Sequence, residues 1–179
     1  MIIKAIVATA EDGGIDCRGV IPWGGEMPCD MKHFMNTTRN SIIIMGRITA
    51  DSLRLPLKNR KAIIITTRVN ETLERYGEHS NVVDSLDASL GLARTMIDGG
   101  EVPPDTNIFI IGGAQIYNAA MERGLIDTMY LTTIHAQFKA DAFFRFNRDG
   151  YDVVASERVP ADEKNKYDCT FETFQKTTP

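Results

Sequence analysis

The stretch SIIIMGRITADSLRLPLKNRKAIIIT, residues 41–66, holds two apolar runs on either side of a helical pattern. The runs IIIM (42–45) and AIII (62–65) are almost purely aliphatic, which is typical of strands buried on both faces of a sheet. The helical pattern between them covers residues 47–54. A strand, a helix and a second strand in this order predict a parallel sheet.

The same alternation continues toward both ends of the chain. Further aliphatic runs lie at 2–8 and 108–111, and further helical patterns lie at 28–38, 86–98 and 114–123, whereas the Glu-rich residues 71–78 are expected to form a solvated face or a loop. Near the end, MYLTTIHAQF, YDVVASERV and YDCTFETFQK have the partial alternation of three strands. We therefore predict an α/β fold with one domain over residues 1–179. Its central, mainly parallel sheet ends in an antiparallel edge and is flanked by about four helices.

Composition limits the classes of partner. The 179 residues carry a formal net charge of −4, and this acidic balance argues against a nucleic-acid-binding surface, because phosphate neutralisation needs clustered Lys and Arg. Cys17, Cys29 and Cys169 form no CxxC pair and the histidines show no ligand spacing, so neither a disulfide framework nor a metal site is predicted. The apolar start MIIKAIVATA is too short for a signal peptide or a membrane span. A cytoplasmic protein that acts on a small molecule is expected.

Asp30 is the unusual residue of the segment IPWGGEMPCDMKHF, residues 21–34. It lies in the first turn of a predicted helix whose apolar face includes Met31 and Phe34. One interpretation is a solvated residue at a helix start, where anions are favoured. The other is a carboxylate in an apolar pocket, which could bind an amidine-like edge through two hydrogen bonds and assist protonation of a nitrogen.

Two junctions between a strand and a helix carry glycine. Gly46 precedes Arg47 and Thr49, at a predicted helix N-terminus that is suited to phosphate. Gly112 and Gly113 separate IFII from AQIYNAAM, without the GxGxxG fingerprint of a Rossmann site. A surface ion pair for Arg47 and a plain turn for the glycine pair remain the alternatives.

Together these segments resemble dihydrofolate reductase, in the family's order and over almost the whole chain. The matching residues are Ala8, Pro22, Trp23 and Asp30; Met45, Gly46, Arg47, Thr49 and Ser52; Pro56, Leu57 and Arg60; Ile111, Gly112, Gly113 and Tyr117; and Tyr130, Leu131 and Thr132. The resemblance implies reduction of 7,8-dihydrofolate to 5,6,7,8-tetrahydrofolate by NADPH, with hydride transfer to C6 and protonation at N5. It also implies dihydrofolate as the partner, antifolates as inhibitors and a monomeric state.

The resemblance also assigns the substrate site. Asp30 is expected to hold the 2-amino and N3 edge of the pterin as the catalytic carboxylate, with Trp23 beside it and Thr132 behind it. Arg60 is expected to pair with the α-carboxylate of the glutamate tail. The remaining substrate contacts are expected from Ile6, Val7, Ala8, Met31, Phe34, Leu53, Leu57, Ile111 and Tyr117.

The cofactor site follows from the same resemblance. The nicotinamide is expected beside Ala8, Ile15, Val20 and Tyr117. The pyrophosphate is expected at the amides near Arg47, Ile48 and Thr49 and at Gly113, Ala114, Gln115 and Ile116, and the 2′-phosphate at Arg47, Thr66, Thr67 and Arg68. Gly46 and Gly112 are expected as further cofactor-binding residues. The Gly112–Gly113 peptide is expected to be cis.

Two alternatives remain at this level. A reductase of the riboflavin pathway shares this fold and NADPH, but should lack the Pro-Trp to Asp element and Arg60. A reductase-like module without catalysis is the other, since folds are reused. The intact Trp23, Asp30 and Arg60 argue against both.

Overall fold

The computed structural model describes residues 1–53 and 55–177 and contains one large sheet of eight strands. These strands are β1 (Ile3–Ala10), β3 (Ser41–Gly46), β4 (Arg60–Ile65), β5 (Ser80–Val83), β6 (Ile108–Ile110), β7 (Thr128–Ile134), β9 (Tyr151–Val159) and β10 (Cys169–Lys176). Their order across the sheet is β5-β4-β3-β6-β1-β7-β10-β9. Two short strands, β2 (Gly14–Asp16) and β8 (Ala142–Phe143), pair separately.

The pairing directions confirm the predicted α/β class. From β5 to β7 every neighbouring pair of strands is parallel, whereas β10 runs antiparallel to both β7 and β9. The sheet is therefore mainly parallel and ends in an antiparallel edge.

Five helices are present in the described residues, one more than the expected four. They are α1 (Pro28–Thr37), α2 (Arg47–Leu53), α3 (Val69–Tyr76), α4 (Leu86–Asp98) and α5 (Ala114–Glu122). The added helix, α3, contains most of the segment that was expected to be a solvated face or a loop, and Thr72 is its only buried residue. The predicted helix over 47–54 is found as far as Leu53, and Arg54 lies outside the described residues, as do Thr178 and Pro179 of the predicted domain.

The core forms on both faces of the sheet because consecutive strand residues point to opposite sides. On β3, Ile42 and Ile44 join one cluster together with Leu90 and Met96 of α4, while Ile43 joins the other. The second cluster also includes Phe34, Ala50, Leu53 and Tyr76, which α1, α2 and α3 contribute. The aliphatic runs of the sequence are thus strands covered by helices on both faces. Within the described residues, no helix is both long and apolar enough to cross a membrane.

Candidate active site

A cleft of about 670 Å³ opens at the carboxyl ends of the parallel strands. Its floor includes Ile6, Val7 and Ala8 of β1, and Gly46 and Ile65 mark the ends of β3 and β4. The volume is in the range of small-molecule and cofactor sites, and this edge of a parallel sheet is where such sites form.

Most of the predicted site residues line this cleft. They are Ile6, Val7, Ala8, Ile15, Trp23, Asp30, Met31, Phe34, Gly46, Arg47, Ile48, Thr49, Leu53, Thr66, Thr67, Arg68, Ile111, Gly112, Gly113, Ala114, Gln115, Ile116 and Tyr117. Four predicted residues do not line it. Thr132 lies behind Asp30, Leu57 packs against the cluster that contains Phe34, Arg60 lies beyond the cleft, and Val20 is 61% exposed on a loop.

Asp30 occupies the third position of α1, which begins with Pro28 and carries no side-chain cap. The residue is half-buried, and burial raises the pKa of its carboxyl group from an ordinary value of 3.8 to about 6. The polar groups of Thr132 and Trp23 act in the opposite direction and lower the pKa. The desolvation effect is the larger, so the carboxyl group titrates close to neutral pH.

Trp23 and Thr132 are buried side chains next to this carboxyl group. Thr132 is 1% exposed, and its register opposite Ala8 places it in the middle of the β1 and β7 pair. Trp23 is 3% exposed, and its ring meets the ring of Phe138 edge to face, with centroids 5.7 Å apart. Both neighbours of Asp30 are therefore buried side chains.

The glycine pair after β6 sits between two sides of the cleft. The Gly112–Gly113 peptide is cis, as expected, and Gly112 has a φ of +123°. A Cβ on Gly112 would lie 3.3 Å from Thr49 Oγ1 and 3.4 Å from the Tyr117 ring. Because L side chains rarely adopt this backbone conformation, glycine is the residue that lets the chain pass so closely here.

The start of α5 presents free backbone amides to the cleft. The Gly113 carbonyl accepts hydrogen bonds from the amides of Ile116 and Tyr117, at 3.0 and 3.1 Å. The amides of Ala114 and Gln115 precede this turn, so the helix itself cannot bond them. A Cβ on the facing Gly46 would lie 3.3 Å from Ile116 Cδ1, so the glycine keeps this passage open. Such a glycine-bounded helix start fits a pyrophosphate.

Two arginines mark the far end of the cleft. Arg47 Nη1 donates to Asp51 Oδ2 at 2.8 Å, and Asp51 Oδ1 also accepts from Tyr76 Oη at 2.5 Å. Arg68 Nη1 lies 3.9 Å from Glu71 Oε2. Each guanidinium keeps further N–H groups beyond the one engaged in these contacts, so this end can receive a phosphate.

Arg60 joins β4 to the end of α1. Its Nε donates to Thr38 Oγ1 at 2.9 Å, Nη1 donates to the Lys58 carbonyl at 2.6 Å, and Nη2 donates to the Met35 carbonyl. Desolvation lowers the pKa of this guanidinium from its usual range, yet the group remains charged. One N–H on each Nη atom is left for a ligand.

Six further residues line the cleft and were not predicted as site residues from the sequence: Asp16, Ile21, Ser52, Ile65, Asp84 and Ala142. Ser52 belongs to a motif that the resemblance already contained. Asp84 directly follows β5, a strand whose four residues gave no clear signal.

A sequence model described as dihydrofolate reductase matches residues 2–176. The chain belongs to the dihydrofolate reductase family. It is 34% identical over 177 residues to dihydrofolate reductase type 3 of Salmonella typhimurium, covering 98% of this chain and 99% of that one. It is also 34% identical over 157 residues to dihydrofolate reductase of Bacillus subtilis (strain 168), covering 87% of this chain and 83% of that one.

A solved structure agrees with this family. Dihydrofolate reductase from Enterococcus faecalis, complexed with NADP(H) and RAB-propyl, superposes with a TM-score of 0.82 at 28% identity, covering 99% of this chain and 97% of that one. The predicted enzyme class, an NADPH-dependent oxidoreductase that reduces dihydrofolate, is confirmed. The riboflavin-pathway reductase and the non-catalytic module are not favoured.

Proposed function

We propose that this cleft binds the pterin of dihydrofolate at Asp30 and NADPH along the glycine junctions, with the folate tail directed toward Arg60. One observation carries the proposal: the half-buried carboxyl group of Asp30, with a pKa raised to about 6 by burial, lies beside the apolar side chains of the cleft. A pterin offers such a group two parallel N–H donors from its 2-amino and N3 edge. The two oxygen atoms of a carboxylate can each accept one of these hydrogen bonds.

Asp30 acts on the pterin by orientation and charge. At neutral pH its carboxylate is mostly ionised, since its pKa is about 6. The ionised group accepts both hydrogen bonds and favours the protonated form of the bound ring. The proton that N5 receives comes from water entering the cleft, because Asp30 is engaged at the opposite edge of the ring.

Apolar side chains enclose the reacting face of the ring. Ile6, Met31, Phe34 and Ile111 line the cleft on its pterin side. By limiting the water around the ring they strengthen its interaction with Asp30, and they keep the two reactants in a single orientation.

NADPH, when bound, supplies the hydride for C6. Ala8, Ile15 and Tyr117 form the nicotinamide pocket in this proposal. The amides of Ala114 and Gln115 hold the pyrophosphate. Arg47 and Arg68, together with Thr66 and Thr67, hold the 2′-phosphate.

The cofactor arrangement is tested by replacing Arg47 and Arg68 together with alanine. We expect the ratio of kcat/KM for NADPH to kcat/KM for NADH to fall toward one, because only NADPH carries the 2′-phosphate. Arg94→Ala is the matched control, since Arg94 is exposed on α4 and does not line the cleft. An unchanged ratio in the double variant would refute the assignment.

The substrate arrangement is tested by Arg60→Leu, measured by NADPH oxidation with dihydrofolate and with a dihydropterin that lacks the glutamate. We expect kcat/KM for dihydrofolate to fall by about 30- to 1000-fold, which corresponds to roughly 2 to 4 kcal/mol. The short pterin should be reduced at the wild-type rate. Lys58→Leu, at an exposed neighbouring position, is the control.

Arg60 also bonds the end of α1, so both outcomes of this test are informative. An equal loss with both substrates would mean that the guanidinium supports the fold through Met35 and Thr38. No loss with dihydrofolate would remove the tail contact from the proposal.

We further propose that residues 1–179 form one domain, that the protein acts as a monomer, and that antifolates bind at the pterin site. The last point is supported by the Enterococcus faecalis relative, which is complexed with RAB-propyl. Sedimentation and competition between an antifolate and dihydrofolate test the second and third of these statements.

A further inference from the structure

Asp84 lies at the cofactor end of the cleft, where the sheet register places it beside Thr66. Ile65 of β4 is the partner of Val83 of β5, and the Thr66 amide donates to the Val83 carbonyl at 2.9 Å. The next residue of each chain segment, Thr66 and Asp84, therefore leaves the sheet at the same edge. Both line the cleft together with Arg68.

Arginines near this end of the cleft already contact carboxylates of the chain. Arg47 and Arg75 both contact Asp51, at 2.8 and 3.0 Å, and Arg68 lies 3.9 Å from Glu71. These three guanidinium groups thus face two carboxylates that are already paired with them. Asp84 is the third carboxylate.

Asp84 differs from Asp51 and Glu71 because no arginine is paired with its carboxylate in the part of the chain that the structure describes. It is exposed, and it forms no side-chain hydrogen bond or ion pair within residues 1–53 and 55–177. Its negative charge therefore lies in the cleft lining together with Thr66 and Arg68, where it offsets part of the positive charge that attracts a phosphate.

We propose that Asp84 is a specificity-determining residue that opposes the 2′-phosphate of NADPH and makes NADH a second usable hydride donor. The inference rests on the proposed function, in which Thr66, Thr67, Arg47 and Arg68 receive that phosphate. A carboxylate repels the phosphate, which is mostly a dianion at neutral pH. The same carboxylate accepts hydrogen bonds from the free 2′-hydroxyl of NADH.

The effect is electrostatic and partly screened, so its size depends on salt. For an exposed unit charge several ångströms from a dianion, removal of the charge should tighten NADPH binding by about threefold to tenfold at low ionic strength. At high salt the gain should shrink to less than about twofold. NADH binding should be unchanged or slightly weaker.

The experiment compares Asp84→Asn with the wild type by measuring dissociation constants for NADPH and NADH. Trp23, the single tryptophan, lines the cleft, so its fluorescence reports binding of either nucleotide. Asp152→Asn is the control for net charge, because Asp152 lies on the distant edge strand β9. Asp84→Lys should extend the gain for NADPH to more than about tenfold, since it reverses the charge.

The outcomes separate this inference from the proposed function. If the Arg47→Ala, Arg68→Ala double variant leaves the NADPH to NADH ratio unchanged, the phosphate site is misplaced and the role of Asp84 is overturned with it. If the double variant lowers that ratio but Asp84→Asn does not raise it, only the role of Asp84 is overturned. A change equal for both nucleotides and independent of salt would show that Asp84 supports the loop structure, and it would also overturn the inference.

Discussion

Replacing Asp30 by asparagine should have opposite effects on stability and on catalysis. The amide keeps the shape of the carboxylate but cannot ionise. In the folded protein burial raises the pKa of Asp30 to about 6, so folding favours the protonated acid over the charged form. The charged form is what the reaction uses, according to the proposed mechanism.

The stability effect follows from the direction of the shift. Because the folded pKa lies above the unfolded value of 3.8, the cost of the charge is absent below about pH 4, grows between pH 4 and 6, and is complete above pH 6. The full shift corresponds to about 3 kcal/mol, and water entering the cleft reduces it, so Asp30→Asn should stabilise the protein by about 1 to 3 kcal/mol at pH 7. Near pH 4 the gain should be well under about 1 kcal/mol.

Thermal unfolding at pH 7 and pH 4 measures this difference. For a chain of this size we expect the midpoint to rise by roughly 2 to 10 °C at pH 7 and to change little at pH 4. In parallel, turnover of dihydrofolate at pH 7 should fall by about 30- to several thousand-fold, since a charge-assisted pair worth roughly 2 to 5 kcal/mol is lost. Activity should recover in part at low pH, where the substrate arrives protonated.

Two results would refute this reasoning. A variant that is less stable than the wild type at pH 7 would mean that the carboxylate is well solvated or well paired in the free protein. A variant that keeps its turnover at pH 7 would mean that the charge of Asp30 has no role in the reaction.

Three further substitutions test the surroundings of the cleft. Thr132→Val removes a polar group that lowers the pKa of Asp30, so the acidic limb of the kcat/KM profile should move up by about half to one pH unit, and an unmoved profile would contradict this influence. Gly112→Ala puts a Cβ at a φ of +123° and 3.3 Å from Thr49 Oγ1, so urea unfolding should show a loss of about 1 to 3 kcal/mol; wild-type stability would exclude this strain. Tyr117→Phe leaves the Ile6 carbonyl without its 2.6 Å donor, and should cost about 1 to 3 kcal/mol in the same assay unless the carbonyl finds a new partner.

The sequence predicts the strands and helices that are buried on a regular face. The aliphatic runs of β3 and β4 are recognisable because both faces of these strands are covered, and α4 occupies the predicted range, residues 86–98. In contrast, β5 has the sequence SNVV at the edge of the sheet, and α3 buries only Thr72. Edge strands and solvated helices leave too few apolar residues for their periodicity to be read.

A site residue can be predicted from the sequence when its type is unusual for the residues around it. Asp30 was identifiable because an acid in an apolar helix face is unusual, whereas Asp84 follows a strand that was not predicted. Contacts between segments that are far apart in the sequence could not be predicted either. Cys29 and Cys169 are 140 residues apart, yet their Sγ atoms lie 3.8 Å apart because β10 returns beside β7.

The position of β1 has a consequence for how the protein is made. This strand supplies part of the cleft floor, but its neighbours are β6 and β7, and the Ile3 amide donates to Asp127 Oδ2 at 2.7 Å, 124 residues away. The ribosome releases the strand first and its partners more than a hundred residues later. Until residues 108–110 have emerged, a strand rich in Ile, Val and Ala has neither of its neighbours, and β7 is complete only at residue 134. The substrate cleft therefore forms late in synthesis, and during the delay β1 is an apolar segment that needs protection from aggregation.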